Sequence, residues 1–253
     1  MKKTLLLLLS VMGLNMAAQN GTTIEYKFTS SKGIKGNSLV KYTDVGYRSE
    51  INMFFAQMPD GGMKLVQIWK KENPDVIYVI NEKSKSYSEM KKKEVQQQTD
   101  NRTYTVKKLN DEVVNGYKCT HALITEGTET MEVWNTKDIP DYTKYADAMS
   151  SNKRLGSAKR NQALKDAGCE GFLVKMIHKN DPREGDMTME LVKIEKATIA
   201  KTDFDIPAGY TKTETVQTPG AMQGMKTQQE IMNMSPEERA KYIEEMKKKY
   251  GKE

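Results

Sequence analysis

The residues best suited to acid–base or metal chemistry are His121 and His178, which are the only histidines in the 253-residue chain. His121 alternates with Cys119 and Leu123, and His178 alternates with Met176, as side chains on one side of a strand do. Neither His-x-x-x-His nor Cys-x-x-Cys spacing, which would favour zinc, is present. We therefore expect packing or rim histidines and no metal. The alternative is a hydrolase site in which the fold brings a carboxylate or serine beside one of them.

Patterns typical of nucleophilic enzymes are weak in this sequence. Ser-x-x-Lys occurs at Ser88–Lys91 and at Ser150–Lys153, as chance predicts in a chain with 40 basic residues. The companion Lys-Thr-Gly motif is missing, and so are the Gly-x-Ser-x-Gly elbow and the glycine loop that cradles phosphates. The sequence therefore predicts a protein that is not an enzyme and that binds no cofactor.

Two cysteines, Cys119 and Cys169, allow a single disulfide pairing. In an oxidising compartment we expect them to be bridged, which would close a loop of about 50 residues and stabilise the fold by about 4 kcal/mol in the chain-entropy model. Two buried free thiols are the alternative.

Methionine and aromatic residues supply the strongest indication of a binding surface. The chain has 17 Met, 12 Tyr, 5 Phe and 2 Trp, and Met is a flexible residue that lines adaptable apolar surfaces. An ordinary core would use the same residues. The alternative is an apolar concavity for a lipid-like ligand. Its predicted lining is Met53, Phe55, Trp69, Trp134, Met149, Met176 and Met189.

The hydrophobic pattern predicts a mainly β protein with helices late in the chain. Period-two alternation predicts strands over 23–30, 37–47, 48–55, 63–70, 75–80, 103–109, 117–125, 130–135, 172–178 and 187–197. Asn115-Gly116 predicts a type I′ hairpin turn, because both central positions need positive φ. Helical spacing predicts helices over 140–150 and 157–167, the second ending at Gly168. Sheet with late helices is an α+β or all-β arrangement around one core.

The N-terminus has the pattern of a secretory signal peptide. Lys2 and Lys3 precede an apolar run that is too short to span a bilayer, and Ala17-Ala18 offers a cleavage site. We therefore expect residues 1–18 to be removed and the mature chain to be periplasmic or secreted, with no transmembrane anchor. The formal net charge of +6 is a mild excess on a heavily charged chain, and it does not predict nucleic-acid binding.

From 218 to 253 the composition changes to Met, Gln, Glu and Lys. Ser235-Pro236-Glu237-Glu238 is a capping box with Pro at the first helical position. The apolar stripe that follows is thin, so we expect a mobile, partly helical tail after a β-rich domain over 19–217. A helix that binds a partner is the alternative.

Three segments in order resemble a domain-of-unknown-function family of exported Gram-negative, Bacteroidota-type proteins. They are 115–120 (NGYKCT), 131–139 (MEVWNTKDI) and 204–210 (FDIPAGY). The resemblance covers roughly 100–212 and implies a fold akin to the LolA/LolB lipoprotein carriers. Such a fold is a curved antiparallel half-barrel with two or three covering helices over an apolar cavity. The family has no agreed activity, so the resemblance assigns no functional residues.

Together these observations predict a non-enzymatic periplasmic protein that binds lipid, acyl chains or lipoprotein. The alternative is an envelope interaction or sensor module that binds another protein through the sheet or the C-terminal tail, since a fold does not fix a function.

Overall fold

The protein is built on one continuous sheet. The computed structural model describes residues 18–55, 62–91, 103–145, 158–181 and 185–214, with 234–235, 237–238, 240–242 and 244–245 nearer the C-terminus. Its thirteen strands are β1 (Ala18–Ser30), β2 (Ile34–Thr43), β3 (Gly46–Phe55), β4 (Gly62–Lys70), β5 (Val76–Asn81), β6 (Ser86–Lys91), β7 (Thr105–Lys108), β8 (Glu112–Val114), β9 (Tyr117–Glu126), β10 (Glu129–Thr136), β11 (Phe172–Asp181), β12 (Gly185–Ala200) and β13 (Thr211–Lys212).

The strands follow the order β13-β6-β5-β4-β3-β2-β1-β12-β11-β10-β9-β7, and β8 also pairs with β9. All pairings are antiparallel except β13 with β6, which is parallel. In the described residues the sheet is open, with β13 and β7 at its two ends. The predicted mainly β, antiparallel architecture is confirmed.

The turn between β8 and β9 shows that the sheet is curved. Asn115 and Gly116 have φ of 51° and 84°, which confirms the prediction of positive φ at both positions. The Nδ2 of Asn115 donates a 3.0 Å hydrogen bond to the carbonyl oxygen of Leu191 in β12. Because β12 lies three strands from β9 in the sheet, this bond requires the sheet to bend toward itself.

One face of the sheet is covered by the chain that follows β10. Tyr145, the last residue of a 3₁₀ helix (Tyr142–Tyr145), packs edge-on against Tyr42 and Phe172. Its hydroxyl lies 3.2 Å from Oγ1 of Thr22. These contacts anchor the segment over β1 and β2, so the sheet and the segment share one core.

An α-helix, α1 (Ala158–Asp166), covers the same core farther along and confirms the helix predicted over 157–167. Leu164 is buried, and Nη1 of Arg160 lies 3.9 Å from the sulfur of Met131. The helix ends as predicted: Gly168 has φ of 67°, and its N–H and that of the next residue bond back to the carbonyls of residues 165 and 164. This pair of bonds is the Schellman motif.

The prediction of two or three covering helices is corrected. Of the segment predicted as a helix over 140–150, Tyr142–Tyr145 form a 3₁₀ turn, and residues 146–150 lie outside the described residues. Asp141 has φ of 53°, which no α-helix accommodates, and Lys144 N–H bonds to its carbonyl with i→i+3 spacing. In the described residues, α1 and this turn take the covering position.

The opposite face is covered near β4 and β5 by the segment that follows β12. A second 3₁₀ helix (Lys201–Phe204) buries Phe204 against Val66, Ile68 and Ile80. Ion pairs of 3.0 Å (Lys41–Asp203) and 2.9 Å (Lys70–Asp205) fasten it. Strands covered on both faces need apolar side chains on both, which explains the unbroken apolar run at 76–80.

Several predictions fall wholly or mostly outside the described residues. They are the signal peptide over 1–18, of which only Ala18 is described, Met149, and most of the tail from 218 to 253. Within the tail, the capping box is confirmed: Ser235 N–H donates to Glu238 Oε2 at 2.9 Å, and Glu238 N–H donates to Ser235 Oγ at 3.2 Å. None of the helices in the described ranges is long and apolar enough to cross a membrane.

Candidate functional site

The strand register places the methionines on one face of the sheet. Residues directly opposite each other in neighbouring strands point to the same side. Starting from Met53, the residues that lie opposite one another from strand to strand form a row whose side chains all point to the same face of the sheet. We call this face the inner face. The row consists of Met63, Met53, Gly36, Phe28, Met189, Met176, Val133 and Ala122. The row crosses eight strands, from β4 to β9, and carries no charged residue.

Gly36 lets an aromatic ring join this row. A Cβ atom built on Gly36 would lie 2.6 Å from the ζ carbon of Phe28, so the Phe28 ring occupies the space above the glycine. A larger residue at position 36 would meet this ring and also the carbonyl oxygen of Asn52, which lies closer still. From Met63 to Met176 the row is therefore a continuous surface of methionine and phenylalanine side chains.

Five of the predicted lining residues lie on the inner face. Met53, Met176 and Met189 belong to the row itself. Phe55 lies two residues beyond Met53 in β3, so it points to the same face. Trp69 is opposite Tyr47, and Tyr47 shares the face of Met53 because it lies six residues before it in the same strand. Trp69 also stacks on Tyr47 with ring centroids 5.6 Å apart.

The inner face is fully buried at one end and less so at the other. Met176 is 1% exposed and Met189 is 5% exposed, beneath α1 and the 3₁₀ turn. Phe28, Phe55 and Met63 are only half-buried. The apolar surface therefore opens toward β1–β4, which is the end that a ligand could reach.

Trp134, the sixth described residue of the predicted lining, lies on the opposite or outer face, so its assignment is corrected. Its neighbours in register are His121 and Lys175, whereas the inner row passes through Val133. Because adjacent residues of a strand point to opposite sides, Trp134 points away from Met176. Met149, the seventh residue, is outside the described residues.

His121 and Trp134 form the centre of a polar cluster on the outer face. Their rings stack with centroids 4.1 Å apart and 14° between planes. Nδ1 of His121 lies 3.2 Å from Glu112 Oε1, and Nε2 lies 3.1 Å from Glu132 Oε2. Trp134 Nε1–H donates to the other oxygen of Glu112 at 3.1 Å. Lys175 Nζ stands 5.1 Å from the centre of the Trp134 ring.

This outer cluster is an ion-pair network. Lys179 Nζ lies 3.1 Å from Glu132, and its hydrogen bond, followed by that of His121, lowers the pKa of Glu132 against the opposing effect of burial. Both nitrogens of His121 lie within hydrogen-bonding distance of carboxylates. The arrangement joins β8, β9, β10 and β11, and we interpret it as a set of cross-strand contacts that stabilise the sheet.

His178 lies on the inner face, opposite Met131 and Met187, and is 5% exposed. Its Nε2 is 3.0 Å from Glu129 Oε2 at the start of β10. Each histidine thus has a carboxylate partner, as the hydrolase alternative required. Among the described side chains, no group of three or more His, Cys, Asp and Glu is placed to hold a metal ion.

The predicted disulfide is wrong: Cys119 and Cys169 are buried free thiols. Cys119 Sγ faces the carbonyl of Tyr117 at 3.5 Å, and Cys169 Sγ faces that of Ala167 at 3.3 Å. Each S–H is therefore turned toward its own strand or loop. Burial raises the pKa of Cys119 to about 11 and also raises that of Cys169, so both are inert in ordinary buffers.

Sequence reasoning missed the partners of His121. The two-residue turn Gly127-Thr128 pairs Glu126 with Glu129, and this register alone brings His121 opposite Trp134 and beside Glu132. Counting residue pairs back from that turn would have placed both Trp134 and Glu132 beside His121. Sequence reasoning also passed over Gln67, a single amide among apolar residues in β4, and Phe28 in β1.

Comparisons with solved structures give distant likenesses. PNGF-II in a C2 crystal form is 13% identical, with a TM-score of 0.40, and the match covers 81% of this chain but 33% of PNGF-II. MucB in complex with MucA(peri) is 10% identical, with a TM-score of 0.37, and the match covers 77% of this chain and 57% of that one.

A putative outer membrane lipoprotein-sorting protein domain from Vibrio parahaemolyticus is 10% identical, with a TM-score of 0.24, over 74% of this chain and 89% of that one. TM-scores of 0.24 to 0.40 do not establish a shared fold. This chain spans only about a third of the length of PNGF-II.

The comparison with curated proteins finds no match. A protein family does match: the domain of unknown function DUF4412, over residues 22–210. The matched range begins in β1 and ends just before β13, so it contains both faces described above. The chain therefore belongs to the DUF4412 family.

Proposed function

We propose that this chain is a non-enzymatic periplasmic binding protein whose inner face holds the acyl chains of a lipid or lipoprotein. The observation that carries the proposal is the cross-strand row that runs from Met63 to Met176 without a charged side chain. Methionine adapts to irregular, flexible ligands because it is unbranched and polarisable. A concave sheet surface with few polar groups is typical of sites for apolar small molecules.

The distribution of burial supports entry from the β1–β4 side. The buried end, at Met176 and Met189, belongs to the core beneath α1. The half-buried end exposes Phe28, Phe55 and Met63. An acyl chain laid over that end would remove these side chains from water, at about 25 cal/mol for each Å² of apolar surface buried.

Native mass spectrometry of the mature protein, purified from its own periplasm, tests the proposal. The eluted mass should include a bound acyl lipid or fatty acid in near-stoichiometric amount, and organic extraction followed by lipid analysis would identify it. A protein of purely apo mass that takes up no fatty acid on challenge would refute the proposal.

The second candidate function is an envelope interaction module that binds another protein through the tail. The observation that favours it is the capping box at Ser235 and Glu238, which starts helical backbone at 237–238 and continues it at 240–242. A preformed helix start reduces the ordering cost of docking on a partner. Crosslinking in the periplasm with and without residues 218–253 tests this alternative, since loss of a crosslinked protein on deletion would support it.

A further inference from the structure

In the described part of the chain, two buried amides lie on the inner face, and only one has a bonded donor: Asn135 donates to the carbonyl of Cys169 at 2.9 Å, whereas Gln67 does not. Gln67 in β4 is 1% exposed. Along its strand it lies between Leu65 and Trp69, which share its face. Across the sheet it lies opposite Ser49 in β3 and Val79 in β5. The amide is therefore enclosed by a largely apolar cluster that includes Leu65, Val79 and Trp69.

The Nε2 of Gln67 is a donor without an acceptor. Within the part of the chain that the structure describes, this buried atom has no hydrogen-bond partner. A buried polar group that has left water and gained no bond destabilises the fold, and an apolar residue of similar size would not carry that cost. Its position on the face proposed to bind a ligand suggests that the ligand supplies the acceptor.

Two further polar side chains mark the same place. Ser49 and Ser88 are 4% and 3% exposed, and the register joins them to Gln67 in one row that runs from Ser49 through Gln67 and Val79 to Ser88. This polar row lies four residues from the methionine row along β4, which is about 13 Å at the usual rise of a strand. A ligand that is polar at one end and apolar at the other matches this arrangement.

We infer that Gln67 binds the carbonyl oxygen of an acyl group whose hydrocarbon chain lies over Met53 and Met63. This inference rests on the proposed function and adds the ligand chemistry to it. An amide N–H donates to a neutral carbonyl oxygen without needing a balancing charge. The acyl carbonyl is common to fatty acids, to lipid esters and to the N-acyl amide of a lipoprotein.

Two ligands that share a sixteen-carbon chain test this inference on the full-length mature protein. Methyl hexadecanoate has the carbonyl and 1-hexadecene lacks it, and each can be titrated as a competitor of bound Nile red. The wild-type protein should prefer the ester by about tenfold, the usual worth of one hydrogen bond. In Gln67→Met, the affinity for the ester should fall to that for 1-hexadecene, which itself should not change.

Gln162→Met is the matched control, because the same substitution is made on the exposed side of α1, where Nε2 already donates to Asp166 at 2.6 Å. It should leave both affinities unchanged. Gln67→Met should also raise the thermal midpoint of the ligand-free protein, because it removes an unpaired buried donor. Gln67→Leu serves as a second variant if the methionine variant does not fold.

Hexadecanoic acid and N-methylhexadecanamide stand for a fatty acid and for the N-acyl amide of a lipoprotein, as methyl hexadecanoate stands for a lipid ester. The class of ligand that the protein binds should be the one whose affinity falls most in Gln67→Met. If the wild-type protein binds the ester and 1-hexadecene equally well, and if Gln67→Met changes neither affinity, this inference is overturned and the proposed function stays intact. Failure of the wild-type protein to bind either ligand would overturn both.

Discussion

The two faces of the sheet use the same strands for different purposes. On the inner face, Met176 and Met189 contribute area and flexibility, and their neighbours are apolar. On the outer face of the same strands, Lys175 and Glu190 form an ion pair of 3.7 Å, and Lys27 extends it at 3.0 Å. The difference teaches that in β1, β11 and β12 the period-two pattern assigns apolar packing and the proposed binding to one face, and cross-strand electrostatics to the other.

The largest expected effect on the free energy of unfolding comes from truncating a buried side chain of the inner face. Met176→Ala should lower the free energy of unfolding by about 2–5 kcal/mol, because it leaves a cavity at a fully buried position. Lys175→Ala, the adjacent residue on the outer face, should cost about 1 kcal/mol or less. Urea denaturation of both variants measures the contrast, and equal losses would break the distinction between the faces.

The two thiols test the burial of the hydrophobic core to which Cys119 and Cys169 belong. At pH 8, a thiol with a pKa of about 11, as burial gives Cys119, is deprotonated in roughly one molecule in a thousand. Titration with Ellman's reagent should therefore be slowed about a hundredfold in the native protein relative to a thiol with a pKa of 9.

After unfolding in denaturant without reductant, the same titration should find both thiols. The variant Cys169→Ser should then give half the titre. A zero titre in denaturant would mean that Cys119 and Cys169 are bridged, contrary to the structure.

The turn of the hairpin that carries Glu112 offers a way to disturb the outer cluster together with the Asn115–Leu191 bond. Gly116→Ala should destabilise the protein by about 1–2 kcal/mol, because φ of 84° is unfavourable for any residue with a Cβ atom. Val113→Ala, at a 71% exposed position in the same hairpin, should stay within about 0.5 kcal/mol of the wild type. Thermal or urea unfolding checks both, and a neutral Gly116→Ala would contradict the turn geometry.

The smallest expected effect is the pH dependence of the outer cluster. Because the folded-state pKa of Glu132 is lowered, its ionised form adds stability at neutral pH, and that stability is lost as the pH falls through the lowered value. Glu132→Gln should therefore flatten the fall in unfolding free energy below about pH 4.5. The difference should be about 1 kcal/mol or less, as for other partly exposed ion pairs. Identical pH profiles would show that the pair contributes nothing.

The sequence predicted the parts of the fold that depend on local pattern. The strands, the Asn115-Gly116 turn and the Gly168 helix end follow from alternation and from backbone preferences at single positions. The common face of Met53, Met176 and Met189, by contrast, follows from the register between strands, which alternation within one strand does not reveal.

Predictions from the sequence were wrong where the position or state of a residue depends on strands that are distant in the chain. The face of Trp134 depends on a register set by the turn at 127–128, and the state of Cys119 and Cys169 depends on where each S–H points. In the described part of the helix predicted over 140–150, a 3₁₀ turn follows positive φ at Asp141, which the helical spacing of its neighbours did not reveal. Covering segments are fixed by contacts that only the folded sheet provides.

The most direct test uses the two tryptophans, because Trp69 lies on the inner face and Trp134 on the outer. Each single-tryptophan variant, Trp134→Phe and Trp69→Phe, is titrated with 9,10-dibromostearic acid, whose bromine atoms quench tryptophan emission on contact. We expect emission from Trp69 to fall saturably while that from Trp134 is unchanged. Quenching of Trp134 alone, or of neither residue, would contradict an acyl-binding inner face.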